Sequence, residues 1–575
     1  MHSDNESNQS KDELLRDITK HYKSGLEYYR NSNFKAAEID FVKSIRPILS
    51  KPSMRQIILE EEDALLKIEV LDAMYHLGLI YESGDLNHDN NYAKAAAIFI
   101  YCAAFSKKHK VSDADLYLKS AYSVEVKFLK GDSSLELSEP ELQIYKLNIS
   151  KHKARLIEDR DQVRLGLDSI KDLTIREIAQ RAARVEEIYS DSSKYLVSDE
   201  GDGLLQELLS ECHTQLGGVP QGCEFTIIGL GSLSVGTITP WSDLEFGILI
   251  NQDTEEYKEY FRKLTQLFQI KIINLGETHL RSLGIESLND FSTAREEDEW
   301  FWDDVIEAGI SFDGKHWHAC KSPLGRKDYK AVKNITKDNG IEESIVEEKK
   351  DFELILTPHQ MVGFQKEEEK SWFSTDKHLV QALRRVSLID GSQKLLDSYR
   401  DLVSKALHIG IFRDRELEIL VEDLGKFTLK LSDEEEGKLL DVKKDMYRLG
   451  DRVVVSLSNY YEIYARPGER SINVWQMIDL MRVKGILSPE GAQHLKEAIS
   501  IASELRLCTY SHNVGQTQEM STYIPAINHL DVEQRKALVE KTFHIKDTKI
   551  LHYFYNIMIP VQSIVEDFCK QESHS

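Results

Sequence analysis

The chain has 575 residues, with 73 Lys plus Arg against 97 Asp plus Glu and a formal net charge of −24. So acidic a surface repels a phosphate backbone, which disfavours a protein that tracks DNA or RNA unless one face is locally basic. With 41% hydrophobic residues, 30% charged residues and 11 prolines, global disorder, collagen-like repeats and disulfide scaffolds are excluded, and the length allows roughly three to five domains.

The opening MHSDNESNQSKDE lacks the apolar core of a signal peptide. The longest apolar stretch, Ala95 to Phe105, falls short of the ~20 residues needed to cross a bilayer. The six cysteines, at 102, 212, 223, 320, 508 and 569, are scattered without a Cys-x-x-Cys pair, which points to a reducing compartment. A cytoplasmic chain without a membrane span is the expectation.

In the first predicted helices Gly25, Tyr28, Ala37, Phe41 and Ser44 alternate small and aromatic residues, and Leu77, Gly78, Tyr81, Ala95, Phe99 and Cys102 repeat the pattern. Small residues let two helices approach while aromatics fill the groove between them. The spacing resembles the tetratricopeptide repeat, and the longer loop of the second copy is similar to the Sel1-like repeat; ordinary helical hairpins with apolar stripes are the alternative. Both make residues 15–130 a helical module suited to docking a protein partner. Residues 131–197 are charged, helix-favouring and read as connecting helices.

Near residue 200 the turn-rich DEGDG and LGGVPQG alternate with the β-branched runs FTII, FGILI and IKII, so a mixed α/β unit is expected over 198–340. Phe225 to Ile228 read as a buried strand that runs into Gly229, Leu230, Gly231 and Ser232. Asp243-Leu244-Glu245 then leads into a second strand, Phe246 to Ile250. Residues i and i+2 of a strand share a face, so the Asp243 and Glu245 carboxylates project side by side. Two such carboxylates repel one another unless water or divalent cations neutralise them, and Mg²⁺ favours one or two carboxylates plus substrate phosphates. The Gly231-Ser232 turn offers backbone N–H groups and a hydroxyl to a phosphate.

Strand, Gly-Ser, spacer, Asp-x-Glu, strand: this order resembles the nucleotidyltransferase superfamily that includes DNA polymerase β, and within it the protein-PII uridylyltransferase and glutamine-synthetase adenylyltransferase branch. The spacer tail Thr239-Pro240-Trp241-Ser242 is similar to that branch as well. The resemblance implies that Gly231 and Ser232 hold a nucleoside triphosphate and that Asp243 and Glu245 ligate Mg²⁺ or Mn²⁺. It also implies a third carboxylate on a later strand. Gln269 to Leu275 (QIKIINL) fit that strand, with Glu277 the nearest acid and Asp303 and Asp304 further candidates.

Downstream, Lys321 and Arg326 flank a Pro-Leu-Gly turn from which they could reach a triphosphate. His316 and His318 are spaced like strand neighbours, without further metal-ligand pattern. Helical character returns over 341–570, where Ser488 reads as an N-cap with Pro489 at the first helical position. The stretch around Arg506 and His512 is similar to the helical region that follows the catalytic domain in the same branch. No His-Asp phosphohydrolase signature follows, a departure from the true PII uridylyltransferases.

The expected architecture is multidomain and mostly α, with a small mixed α/β nucleotidyltransferase domain between an N-terminal helical-repeat module and a C-terminal helical bundle. The expected activity is Mg²⁺-dependent transfer of NMP from an NTP to a hydroxyl, on a protein acceptor rather than on nucleic acid. Alternatives are a helical-repeat interaction protein whose nucleotidyltransferase domain binds nucleotide without turnover, and transfer to an RNA 3′ end.

Overall fold

A computed structural model describes residues 11–50, 64–83, 91–132, 134–290, 298–314, 321–325, 329–336, 342–349, 352–366, 377–407, 411–427, 429, 440–521 and 542–572. The described chain is mostly helical, with small mixed sheets.

Five helices open the chain: α1 (Lys11–Arg30), α2 (Phe34–Leu49), α3 (Ala64–Ser83), α4 (Asn91–His109) and α5 (Ala114–Lys130). Successive helices pack on one another, and the small and aromatic residues of the repeated pattern make the contacts. A Cβ at Gly25 would stand 2.7 Å from the Phe41 ring, and one at Gly78 only 2.4 Å from the Phe99 ring. Glycine therefore sets the close approach in both pairs. Two connecting helices follow, α6 (Glu139–Ile170) and α7 (Ile178–Leu196). The first begins at a Ser138–Glu141 capping box, which satisfies backbone donors at that end.

After α8 (Leu204–Gln215) comes a four-stranded sheet, ordered Ile355–Leu356, Phe246–Ile250, Phe225–Gly229, Ser387–Gly391. Strand β1 (Phe225–Gly229) runs antiparallel to β3 (Phe246–Ile250) and to β8 (Ser387–Gly391), and β3 pairs parallel with β7 (Ile355–Leu356). Ile227, Ile248 and Ile250 join one buried cluster with α8 and α9 (Glu255–Asn274). Ile228 and Leu249 join a different cluster, with α10 (Pro358–Lys366), α11 (Lys377–Arg384) and α12 (Gln393–Leu407). Both faces are thus covered, which explains the nearly continuous apolar runs of β1 and β3.

Two expectations are corrected. The segment Gln269 to Leu275, read as a strand, forms the last turns of α9 and its C-cap. That helix starts upstream at the Thr254 N-cap, whose side chain accepts from Tyr257 N, with Glu255 and Glu256 in its first turn; Leu264, Phe268 and Ile272 then recur at helical spacing on its buried face. The α/β unit also does not stop at 340, because β7 and β8 of its sheet come from the region read as helical bundle. A hairpin of β5 (Tyr329–Thr336) and β6 (Glu342–Lys349) straddles the same boundary.

The carboxy-terminal part contains α13 (Ile411–Lys426), a π-helical turn (Val442–Tyr447) that continues into α14 (Arg448–Tyr460), α15 (Val474–Val483), α16 (Pro489–Asn513) and α17 (Thr548–Glu572). Ser488 caps α16 by accepting from Gly491 N at 2.9 Å. Arg181 on α7 pairs with Glu504 on α16 through two bonds of 2.6 and 2.5 Å. Among the described residues no helix is long and apolar enough to cross a membrane.

Candidate active site

Strand β1 ends at Gly229, and its pairing with β3 extends one step further, since Leu230 N donates to Glu245 O at 2.8 Å. The chain then turns at Gly231 directly over the Glu245 side chain. Its φ is +53°, and a Cβ would stand 2.0 Å from Glu245 Oε2, so only glycine fits. Ser234 Oγ donates to Gly231 O at 2.7 Å and Thr237 N to Ser232 O at 3.0 Å, closing the turn.

The two-residue strand β2 (Asp243–Leu244) pairs in parallel with β4 (Ser311–Phe312), Asp243 opposite Ser311 and Leu244 opposite Phe312. One step on, Asp313 N donates to Leu244 O at 3.0 Å. Alternation puts Leu244 and Phe312 into the core and Asp243, Glu245, Ser311 and Asp313 on the opposite face. Ser311 Oγ accordingly donates to Asp243 Oδ1 at 2.7 Å. The third carboxylate of this face is Asp313, which sequence reasoning missed. Burial pushes its carboxyl up to about 7, and the charges of Glu245 and Asp243 add to the rise while Lys321 opposes it. Burial also raises Glu245, but the Lys321 ammonium, helped by Arg452 and Lys443, brings it below the usual carboxylate range.

Lys321, read from the sequence as able to reach a triphosphate, lies beside the acids. Its Nζ donates to Glu245 Oε1 at 3.1 Å, and its backbone N donates to Asp313 Oδ2 at 2.9 Å. Arg326, His316 and His318 lie outside the described residues. Glu277 is not in the cluster. Both its oxygens are taken by Arg160, at 2.6 Å each, and Oε2 also accepts from Ile310 N at 3.1 Å, so it braces the approach to β4. Asp303 caps the backbone N–H groups of Val305 and Ile306, and Asp304 pairs with Lys108; neither reaches the site.

The carboxy-terminal helices supply the far wall. Gln516 Nε2 donates to Asp243 Oδ1 at 3.1 Å and to Gly309 O at 3.0 Å. Arg506 donates to Thr237 O and Ser242 Oγ, pinning the spacer between Gly-Ser and Asp-x-Glu, and Tyr447 OH bonds Thr237 Oγ1 at 2.7 Å. Arg506 is thus a scaffold contact; His512 packs edge-on against Phe543. The π-helical turn and α14 carry Lys443 and Arg452, whose charges act on Glu245. At His378 burial, then the charges of Arg452, Lys321, Lys426 and Arg448, push the pKa down to about 3.

The donor set suits a hard divalent cation. Three carboxylates share one face, Glu245 Oε2 is buried without a hydrogen-bond partner, and Asp313 is held toward its protonated form by burial and then by its acidic neighbours. By contrast, the His152, Glu207 and Glu211 cluster is already neutralised, because Glu211 pairs with His152 and Lys271 and Glu207 with Lys151 and Arg155. That network ties α6 to α8 and α9. Neither a protein-family model nor a curated protein sequence matches this chain.

Proposed function

We propose that the chain is a metal-dependent nucleotidyltransferase that moves an NMP group from an NTP to a hydroxyl on a protein acceptor. The nucleotidyltransferase domain in this reading is the four-stranded sheet with β2 and β4, set between amino-terminal helical repeats and a carboxy-terminal helical bundle. The observation that carries the reading is the meeting of Asp243, Glu245 and Asp313 on one strand face, against the Gly231-Ser232 turn, with Lys321 bonded to Glu245 and Asp313; the charges of Arg452 and Lys443 also favour the ionised Glu245.

Asp243, Glu245 and Asp313 would hold Mg²⁺ or Mn²⁺. When bound, the metal would lower the pKa of the attacking hydroxyl and neutralise the leaving pyrophosphate. Gly231 and Ser232 present backbone N–H groups to the phosphates at a distance no side-chain-bearing residue could match at 231. Lys321, Arg452 and Lys443 then offset charge on the β- and γ-phosphates, which three carboxylates alone would repel. Asp313 would serve as metal ligand or as acceptor of the hydroxyl proton; for the second role, burial and the charges of Glu245 and Asp243 raise its carboxyl to about 7, in the range a general base needs.

Asp313 favours turnover over nucleotide binding alone, since it adds a third carboxylate to the face of Asp243 and Glu245. The overall acidity favours a protein over RNA as acceptor, and the scattered cysteines, none of which forms a disulfide among the described residues, suit the cytoplasm. The test is incubation with each labelled NTP, Mg²⁺ or Mn²⁺ and cell lysate. Label should enter protein with the parent chain and not with Asp243→Ala/Glu245→Ala; transfer that survives the double substitution rejects this site.

A further inference from the structure

Among the described residues, Asp243, Glu245 and Asp313 are each bonded through one carboxylate oxygen and not through the other. Asp243 Oδ1 accepts from Ser311 Oγ at 2.7 Å and from Gln516 Nε2 at 3.1 Å. Glu245 Oε1 accepts from Lys321 Nζ at 3.1 Å, and Asp313 Oδ2 accepts from Lys321 N at 2.9 Å. Asp243 Oδ2 and Asp313 Oδ1 receive no hydrogen bond from these residues, and Glu245 Oε2 is buried and unbonded. Three pinned carboxylates thus keep one oxygen apiece for something else.

Gln516 comes to this face from the carboxy-terminal helices. Helix α16 ends at Val514, which is left-handed with φ +52°, and the chain after it is tied at two points. Gln516 N donates to Ala308 O at 2.9 Å, and Gln518 O accepts from Val442 N at 2.9 Å, at the start of the π-helical turn.

The backbone that Gln516 meets is braced independently by Glu277. Gly309 N donates to Glu277 O and Ile310 N to Glu277 Oε2, each at 3.1 Å, and a Cβ at Gly309 would stand 2.0 Å from Glu277 Oε2. Against this fixed segment the Gln516 carboxamide donates one hydrogen to Gly309 O at 3.0 Å and the other to Asp243 Oδ1. Both partners can only accept, so the nitrogen of the amide must face them. A neutral donor suits the place: it orients Asp243 without cancelling its charge, as lysine or arginine would.

We infer that Gln516 is a positioning residue for the divalent cation: with Ser311 it fixes the carboxylate plane of Asp243 through Oδ1 and leaves Oδ2 to the metal. Each of the three acids then offers a single oxygen. Turning the Asp243 plane would break two hydrogen bonds at once, which is how partners behind a ligand hold its geometry. The inference rests on the reading of Asp243, Glu245 and Asp313 as metal ligands. It brings the carboxy-terminal helices into the site through a side chain that touches a ligand and not the metal.

The test titrates the full chain with Mn²⁺ alone and follows free Mn²⁺ by its paramagnetic resonance signal. Gln516→Met keeps the length of the side chain and removes the donor, and it should bind Mn²⁺ about 10- to 100-fold more weakly than the parent. Should it fail to fold, Gln516→Asn, which keeps the amide but withdraws it by one carbon, takes its place with the same expected loss. Gln518→Met alters a neighbour that holds Val442 through its backbone, and it should bind Mn²⁺ as the parent does. Equal affinity in the parent and the Gln516 variant overturns the proposal. So does an equal loss in Gln518→Met, because loosening of the whole segment would then explain it. A parent that binds no Mn²⁺ rejects the metal site itself and this role with it, an outcome distinct from both.

Discussion

Gly231 lies so close to Glu245 that a methyl group in place of its hydrogen would stand 2.0 Å from the carboxylate. The backbone there is also left-handed, with φ +53°. Gly231→Ala must therefore push Glu245 out of line or unwind the turn. The left-handed conformation alone costs about 1–2 kcal/mol, and melting should fall by roughly 2–6 °C. Nucleotide binding with Mn²⁺, followed by calorimetric titration, should weaken far more than that loss accounts for. Unchanged affinity would mean that the turn does not meet the triphosphate.

Asp313→Asn keeps the shape of the side chain and its hydrogen bond from Lys321 N while removing a charge. Transfer should fall by on the order of 100-fold with the melting temperature unchanged or raised, because burial already disfavours the charged form. Wild-type rates in this variant would return the third-acid role to another residue.

Arg452→Gln and Lys443→Gln separate the phosphate role from the rest of the site. Each should weaken ATP or UTP binding by about tenfold and leave AMP or UMP binding nearly unaffected, since only the triphosphate reaches the cations in this reading. Equal losses for mono- and triphosphates would place these residues elsewhere in recognition.

The Arg160–Glu277 pair predicts a stability effect. Arg160→Met leaves a largely buried carboxylate without its partner and should cost about 3 kcal/mol, whereas Arg160→Met/Glu277→Gln should recover much of it. Chemical denaturation of the three proteins gives the comparison. A double substitution as unstable as the single one would show that the bonds from Arg160 to Pro240 O matter more than the ion pair.

Asp159 predicts a pH dependence. Burial pushes its carboxyl up to about 7, against the hydrogen bond from Ser192 and the nearby Arg160 charge. The folded chain therefore holds a proton that the unfolded chain has already released above pH ~4. The stability this group contributes is fully present below that value and is lost as pH rises through about 7. Asp159→Asn should gain on the parent between pH 4 and 8, by on the order of 1–3 kcal/mol at the upper end. A gap between the two proteins that stays constant with pH rejects the shift.

What the sequence made legible follows from how local each signal is. Gly231, Ser232, Asp243 and Glu245 lie in one stretch of strand, turn and strand, and Gly25 and Gly78 announce their aromatic partners by helical spacing. Asp313 was hidden because β4 is two residues long, too short for alternation to show; its place beside the other acids is created by pairing with β2, nearly seventy positions earlier in the chain. Glu277 was drawn in by the apolar run before it. A short run of that kind fits a strand or a buried helix turn equally well, and what decides is the N-cap at Thr254, outside the window. The cations of α14 escaped notice because their meaning depends on which module they face.

The connectivity of the sheet also sets the timing of assembly. Ile227 in β1 pairs with Asp390, and Asp243 is bonded by Gln516. A ribosome adding about 5–20 residues per second needs on the order of tens of seconds to go from the Gly-Ser turn to Gln516. Throughout that interval the nascent chain holds its acidic motif without the edge strand or the capping glutamine. A newly made molecule thus completes this sheet and the contact at Asp243 only when residues 387–391 and then Gln516 have emerged.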